Sequence, residues 1–257
     1  MSMRPPLLAT CAVLAVLAAS PALAEGPVET ALQPTTSQAT DTFTYNDMIT
    51  ANRLSDPQVS PDGQYVVYTV SRTDVDANSR ASALYIKSLS DDSAARRMGI
   101  SDDGANTARW GADGSLYFLS GRSGSSQVWK TDTSGATASQ VTDLALDVNA
   151  YRLSPDASHL AVSLAVFPDC ADIACTVERM TANSERKSTG RVYDRMFARH
   201  WDTWNDGTQN HLFVVPTSGG EAIWVTRGFD GDTPSKPFGD ENEFTFTPEG
   251  DAVVFAA

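Results

Sequence analysis

The sequence has 257 residues, with 32 Asp and Glu against 19 Lys and Arg, a formal net charge of −13, 41% hydrophobic residues and only three Cys and three His. A chain this acidic is repelled by phosphate backbones and anionic headgroups, which argues against nucleic-acid partners and against membrane attachment through basic patches. The apolar fraction is enough for a packed core, and cysteine is too sparse for a disulfide-held mini-protein or a Cys-rich zinc domain.

Residues 1–24 read as a secretory signal peptide. Arg4 precedes an apolar run from Leu7 to Ala19 that is too short to span a bilayer, and Ala22-Leu23-Ala24 supplies the small residues that signal peptidase needs, with cleavage before Glu25. Cys11 lies inside the apolar run with no polar start after it, so lipidation is not expected. The expected location is periplasmic or secreted, without membrane contact after cleavage, and the two remaining cysteines enter an oxidising compartment. Residues 25–42, rich in Thr, Pro, Gln and Ala, read as a disordered leader.

From residue 43 onward one unit recurs four times. Its copies begin Ser60-Pro61-Asp62-Gly63, Gly111-Ala112-Asp113-Gly114, Ser154-Pro155-Asp156-Ala157 and Thr247-Pro248-Glu249-Gly250. Pro at the second place and Gly at the fourth suit a type I turn, and a strand follows each time, such as Tyr65 to Val70 or Leu116 to Leu119. These runs lack clean apolar/polar alternation, so both faces should be buried. Further strands are expected at Ala83–Ile86, Gln127–Lys130 and His211–Val214, with Val141-Thr142 and Val225-Thr226 opening third strands. Three to four short strands per unit, at spacings of 51 and 43 residues between the first three copies, predict an all-β fold: a β-propeller of about four blades, incomplete, over 43–257. A β-sandwich would show alternating strands and no such self-similarity. The fourth copy runs into the last residues of the sequence, so the expectation is a portion of a longer protein.

The last spacing, 93 residues, holds an insertion at about 167–210 that is expected to be partly helical. Tyr193, Phe197, Trp201 and Trp204 form one aromatic stripe at helical spacing, and Arg191, Arg195 and Arg199 lie on the far side. The plainer expectation is that the aromatics dock this helix on the blades. The functional one is that Arg199, His200 and Trp201 reach toward a ligand site above the propeller. Cys170 and Cys175, with no further Cys or His at zinc-ligand spacing, read as a small disulfide loop. No metal site is expected. Asp230, Asp232, Asp240, Glu241 and Glu243 are acidic enough for calcium, but their spacing fits no calcium loop. No cofactor is implied: there is no phosphate-binding glycine loop, no dinucleotide fingerprint and no Gly-x-Ser-x-Gly nucleophile elbow, and Gly121-Arg122-Ser123-Gly124 looks like a hairpin turn.

The blade repeat, together with Phe167-Pro168-Asp169-Cys170, the run Tyr193 to Trp204, His211-Leu212-Phe213-Val214 and Gly239 to Phe244, resembles the N-terminal propeller of secreted bacterial serine peptidases of the prolyl oligopeptidase family, in the dipeptidyl peptidase and acylaminoacyl peptidase branch. The resemblance implies a propeller that restricts access of short peptides to a C-terminal α/β-hydrolase domain holding a Ser, Asp, His triad. That domain has no counterpart here, so no catalytic residue carries over, and the chain alone is expected to be inactive. In that family propeller insertions supply acidic or arginine groups that hold the peptide, which makes Glu178, Glu185 and Arg199 candidates by location, beside His200 and Trp201. The competing reading is a non-enzymatic, TolB-like periplasmic propeller that binds protein partners. Oligomeric state and peptide preference are left open.

Overall fold

The computed structural model describes residues 42–190, 192–193 and 198–256. The expected signal peptide, all but the last residue of the expected leader, and Arg191, Arg195 and Phe197 of the expected helix lie outside the described residues. A short helix, α1 (Tyr45–Thr50), precedes the sheets; Thr44 and Asp47 cap its start reciprocally.

Three four-stranded antiparallel sheets follow, each a blade. The first holds β1 (Arg53–Val59), β2 (Tyr65–Asp74), β3 (Ser79–Ser88) and β4 (Arg96–Arg97). The second holds β5 (Asn106–Trp110), β6 (Leu116–Ser120), β7 (Gln127–Thr131) and β8 (Ser139–Gln140). In the third, β9 (Ala150–Leu153) and β10 (His159–Val166) are separated from their partners by an insertion. That insertion contains α2 (Ile173–Ser184), β11 (Arg199–His200) and β12 (Thr203–Trp204), after which β13 (Gln209–Pro216) and β14 (Ile223–Trp224) complete the blade. A fourth sheet shows two strands, β15 (Phe244–Phe246) and β16 (Val253–Phe255). This is the expected all-β, incomplete propeller.

Each copy of the sequence unit forms the turn between the first two strands of a blade. The fourth residue donates its N–H to the first carbonyl every time: Gly63 to Ser60 (2.9 Å), Gly114 to Gly111 (3.0 Å), Ala157 to Ser154 (2.8 Å) and Gly250 to Thr247 (2.9 Å). All four donors have a positive φ, +57° even at Ala157. In the first copy Asp62 accepts from Ser60 Oγ (2.5 Å) and Gln64 N (3.0 Å), so the carboxylate closes the turn from inside.

The missing alternation in the strands has a direct cause. On β6, Leu116 and Phe118 pack into the layer shared with the first blade, beside Val67, Leu84 and Ile86. Tyr117 and Leu119, pointing the other way, pack with Leu160, Val162, Leu164 and Phe213 of the third. A thinner layer, Ala161 and Leu212 against Phe244 and Phe246, joins the third sheet to the fourth. Each buried Leu, Val or Phe side chain contributes about 1.5–3 kcal/mol.

The outermost strands are shorter and earlier than expected. β8 and β14 end before Val141-Thr142 and Val225-Thr226, whose roles differ from strand formation. Thr142 Oγ1 accepts the N–H of Val128 (2.9 Å), Thr226 Oγ1 that of Leu212 (3.0 Å), and in the first blade Ser101 Oγ that of Leu84 (2.9 Å). The carbonyl of each strand residue accepts from Val141, Val225 or Met98 N–H. Three buried hydroxyls thus satisfy three third-strand amides where the fourth strand stops, as buried donors require.

The innermost strands are tied together by charge. Both β1 and β5 carry a bulge, between Ser55 and Gln58 and between Asn106 and Arg109, with Asp56 and Thr107 at φ +52°. The guanidinium of Arg109, 10% exposed, bonds Asp56 (2.7 Å) on β1 and Glu241 on the turn before β15. Burial lowers the proton affinity of Arg109, but these two carboxylates raise it above its usual value. Trp110 Nε1 donates to Gln58 O (3.1 Å) and Tyr151 OH to Thr107 O (2.8 Å), linking successive blades by neutral bonds as well.

Candidate functional site

The insertion stands at one end of the third blade. Its helix is not where the aromatic spacing put it. α2 covers Ile173–Ser184, started by Asp172, whose carboxylate accepts from Cys175 N (2.8 Å). The segment expected to be helical up to Trp204 instead contains a hairpin, β11 paired with β12 through Arg199↔Trp204 and His200↔Thr203. Trp201 at its tip has φ +53° and is 79% exposed, so it docks nothing on the blades, contrary to the docking expectation. Two-residue hairpin tips need such a left-handed residue, and a helix does not tolerate one.

Local contacts fix both pieces. Cys170 and Cys175 are joined (Cα–Cα 5.6 Å), a small loop closure worth about 2 kcal/mol. Phe167 N donates to the buried Thr176 Oγ1 (3.2 Å), and Arg179 makes a two-pronged pair with Asp169 (2.7 and 2.8 Å) while lying 4.5 Å over the Phe167 ring. The hydrogen bond from Arg179 holds the Asp169 carboxyl below its usual pKa. In the hairpin, Trp204 contacts Tyr193 on a stacked ring (5.9 Å) and the Arg199 guanidinium (5.2 Å), and Trp201 meets Phe238 edge-on at 5.7 Å.

Between these pieces and the end of the blade lies a cleft of about 1280 Å³. Its floor comes from Asn149, Ala165, Gln209 and Asn210; its sides come from Asp169 and Arg179 near α2, from His200, Thr203 and Trp204 of the hairpin, and from Phe229, Asp230, Asp232 and Lys236 of the following loop. Most charges there are already committed. Asp232 accepts from Asn210 N (2.7 Å) and lies 3.6 Å from Lys236 Nζ, which also donates to Thr208 O (2.7 Å). Asp206 accepts from Thr208 N and Oγ1 (2.9 and 2.7 Å), and Asp230 from Gln209 Nε2 (3.2 Å). Among the described residues Asp206 and Asp230 therefore have neutral partners only, which leaves the described lining acidic. A second cavity of about 420 Å³ adjoins it, lined by Phe167, Met180, Arg186, Val192, Tyr193 and Asp206 among others.

Of the five candidate substrate residues, His200 alone lines the large cleft. Arg199 covers Trp204 and Trp201 stands at the exposed tip. Glu178 and Glu185, both exposed, line neither cavity. The acidic residues weighed for calcium are spent on structure: Asp240 accepts from Asn242 N (2.8 Å), Glu243 from Ser235 N and Oγ (2.7 and 2.9 Å), and Glu241 from Arg109. Sequence reasoning passed over Asp169, Arg179, Asp206 and Lys236. The available signal was the Asp-x-Thr turn at 206–208 and an arginine seven residues into a capped helix.

Among the described residues that line the cleft there is no serine or cysteine. Ser158 Oγ lies 2.8 Å from His159 Nδ1, yet the adjacent Asp156 bonds the serine (2.8 Å) rather than the imidazole, in an exposed blade turn. Thr226 Oγ1 contacts His211 Nδ1 (3.0 Å), but both residues are buried and neither lines the cleft. Among the described residues no helix is long and apolar enough to cross a membrane.

No protein-family profile matches the sequence. The chain is 29% identical over 220 residues to dipeptidyl-peptidase 5 of Porphyromonas endodontalis, a match covering 82% of this chain and 30% of the relative. It is 26% identical over 213 residues to dipeptidyl-peptidase 5 of Porphyromonas gingivalis, covering 81% of this chain and again 30% of the relative. Among solved structures, Pyrococcus horikoshii acylaminoacyl peptidase superposes with a TM-score of 0.50 at 17% identity, over 68% of this chain and 25% of that one, which is a likeness of fold. The chain thus spans about 30% of the length of the curated relatives it matches. Over four-fifths of its length the sequence is thus similar to part of two dipeptidyl peptidases, and its blades share the fold of the acylaminoacyl peptidase, so the chain resembles a β-propeller portion of such a peptidase.

Proposed function

We propose that this propeller gates the entry of short peptides to a serine-peptidase domain of a longer protein, acting by nucleophilic acyl transfer on dipeptidyl or acylaminoacyl substrates. The observation that carries the reading is the match to two dipeptidyl peptidases over four-fifths of this chain and 30% of each relative. The acidic cleft beside the insertion supports it, because it has the size of a short-peptide site and pre-arranged polar groups. In this reading His200 contacts the peptide from the hairpin, Arg199 and Trp201 border the entrance, and Glu178 and Glu185 contribute at most long-range charge. The Arg4, Leu7–Ala19 and Ala22–Ala24 pattern directs the protein to the periplasm or the medium.

The test uses the longer protein and the present chain side by side, with dipeptidyl and acyl-aminoacyl chromogenic substrates and a serine-reactive probe. Turnover and labelling are expected of the longer protein and of nothing in the present chain. Stoichiometric labelling of the present chain, or a longer protein without peptidase activity, removes the proposal. In the active protein, His200→Ala is expected to raise KM without lowering the melting temperature.

A further inference from the structure

Residues 181–190 are exposed without interruption. The N–H of Glu185 donates to Thr181 O and closes α2; residues 186–190 make no backbone–backbone bond with another described residue. In the middle of this stretch stands the basic pair Arg186-Lys187, followed by Ser188-Thr189-Gly190. An endopeptidase binds its substrate as an extended strand, so cleavage demands a segment whose backbone is accessible and unpaired. Several other basic residues among the described ones fail that requirement. Arg80 and Lys87 lie within β3, Lys130 within β7, and Arg179 within α2 and paired to Asp169. Lys236 precedes Pro237, and Arg227 sits in a turn closed by Phe229 N to Thr226 O (3.1 Å) with its guanidinium over Trp224.

We infer that the insertion carries an endoproteolytic processing site at Arg186-Lys187, cut by a trypsin-like peptidase. Water is added across the peptide bond after Arg186 or Lys187, leaving a new carboxylate on one side and a new amine on the other. The blade survives the cut, because β10 and β13 stay paired from His159↔Pro216 to Val166↔Gln209 and their side chains share one core. The Cys170–Cys175 bond lies wholly on the N-terminal side, so nothing covalent joins the products. Processing severs the link between α2, whose Arg179 lines one wall of the cleft, and the hairpin, whose His200 and Trp204 line another. This goes beyond the peptidase reading and does not depend on it.

The experiment is limited digestion of the native chain with trypsin at low ratio, read by intact mass. The first cut is expected at Arg186 or Lys187, with products that co-elute on native size-exclusion chromatography and separate on a denaturing gel with or without reductant. Arg186→Gln combined with Lys187→Gln should slow the first cut at least tenfold and leave the melting temperature unchanged. A first cut elsewhere, full resistance, or products that part under native conditions overturns the inference.

Discussion

Arg109 and Arg152 hold the same place in successive blades, one residue before the apolar residue that enters the repeat turn, and both end on the same short turn. Arg109 bonds the carboxylate of Glu241, while Arg152 donates to the Glu241 carbonyl (2.7 Å) and to Asn242 Oδ1 (2.7 Å). Through Asp56, Arg109 also reaches the first blade, so one buried guanidinium spans from the first sheet to the approach of the fourth.

Replacing Arg109 by Met should destabilise the chain by about 3 kcal/mol, because Asp56 and Glu241 lose the cation that bonds them both in partly dry surroundings. Adding Glu241→Met to that variant should recover part of the loss. Urea denaturation checks both; a loss below about 0.5 kcal/mol for the single variant would show that the pairs behave as surface pairs.

His211 is wholly buried on β13, where the second blade has Gln127. Gln127 satisfies itself through Thr142 Oγ1, Leu144 and Leu146, whereas His211 Nδ1 meets Thr226 and Trp224 Nε1 (3.1 Å) and its Nε2 has no partner. Burial lowers the His211 pKa; hydrogen bonding to Thr226 and the charge of Asp232 oppose this, and Lys236 adds to it. The unfolded chain then binds a proton, with a pKa of about 6.5, that the folded chain refuses. Stability is complete above that pKa and falls as pH drops below it, by up to about 1.4 kcal/mol per pH unit until the folded pKa is reached. His211→Gln should flatten the melting temperature between pH 7.5 and 5.5; an unchanged slope would assign the effect to another group.

Gly63 and Gly135 both have left-handed backbones, at φ +69° and +60°. A Cβ at Gly63 meets open space, but at Gly135 it falls 2.6 Å from Met98 Cε and 2.9 Å from Met98 Cβ. Gly63→Ala should therefore cost about 1 kcal/mol from the backbone alone, and Gly135→Ala roughly 3 kcal/mol, because the buried Met98 must also move. Equal losses by thermal melting would contradict the packing around Met98.

Trp201→Ala should change stability by less than about 0.5 kcal/mol, the usual range for an exposed site. Phe213→Ala, in the layer between the second and third blades, should cost about 3–5 kcal/mol. Comparable losses in the two variants would mean that Trp201 is packed after all.

The blades were legible because their turns are local: Ser-Pro-Asp-Gly carries its own hydrogen bonds, and doubly apolar strands announce burial on two faces. The aromatic stripe misled because spacings of four and three over a dozen residues do not separate a helix from a hairpin, in which Arg199 faces Trp204 across the strands. For α2 the signal was a cap, Asp172, whose carboxylate accepts from Cys175 N. Of the cleft, only His200 was singled out in the sequence as a substrate residue. Its lining comes from residues as far apart as Asn149 and Pro237, brought together by the blade closing around its insertion.

The three buried hydroxyls that replace the fourth strand also decide what the blades offer to other chains. β4, β8 and β14 are two residues each, and beyond them the third-strand amides of Leu84, Val128 and Leu212 are already held by Ser101, Thr142 and Thr226. In the second and third blades, a neighbouring polypeptide looking for a ladder to extend finds two residues of free backbone and then a side chain. Those two rims are thereby protected against strand addition, the usual route by which sheet edges recruit further chains into aggregates, whereas on the first blade β3 runs on past β4 through Ser79–Ala83.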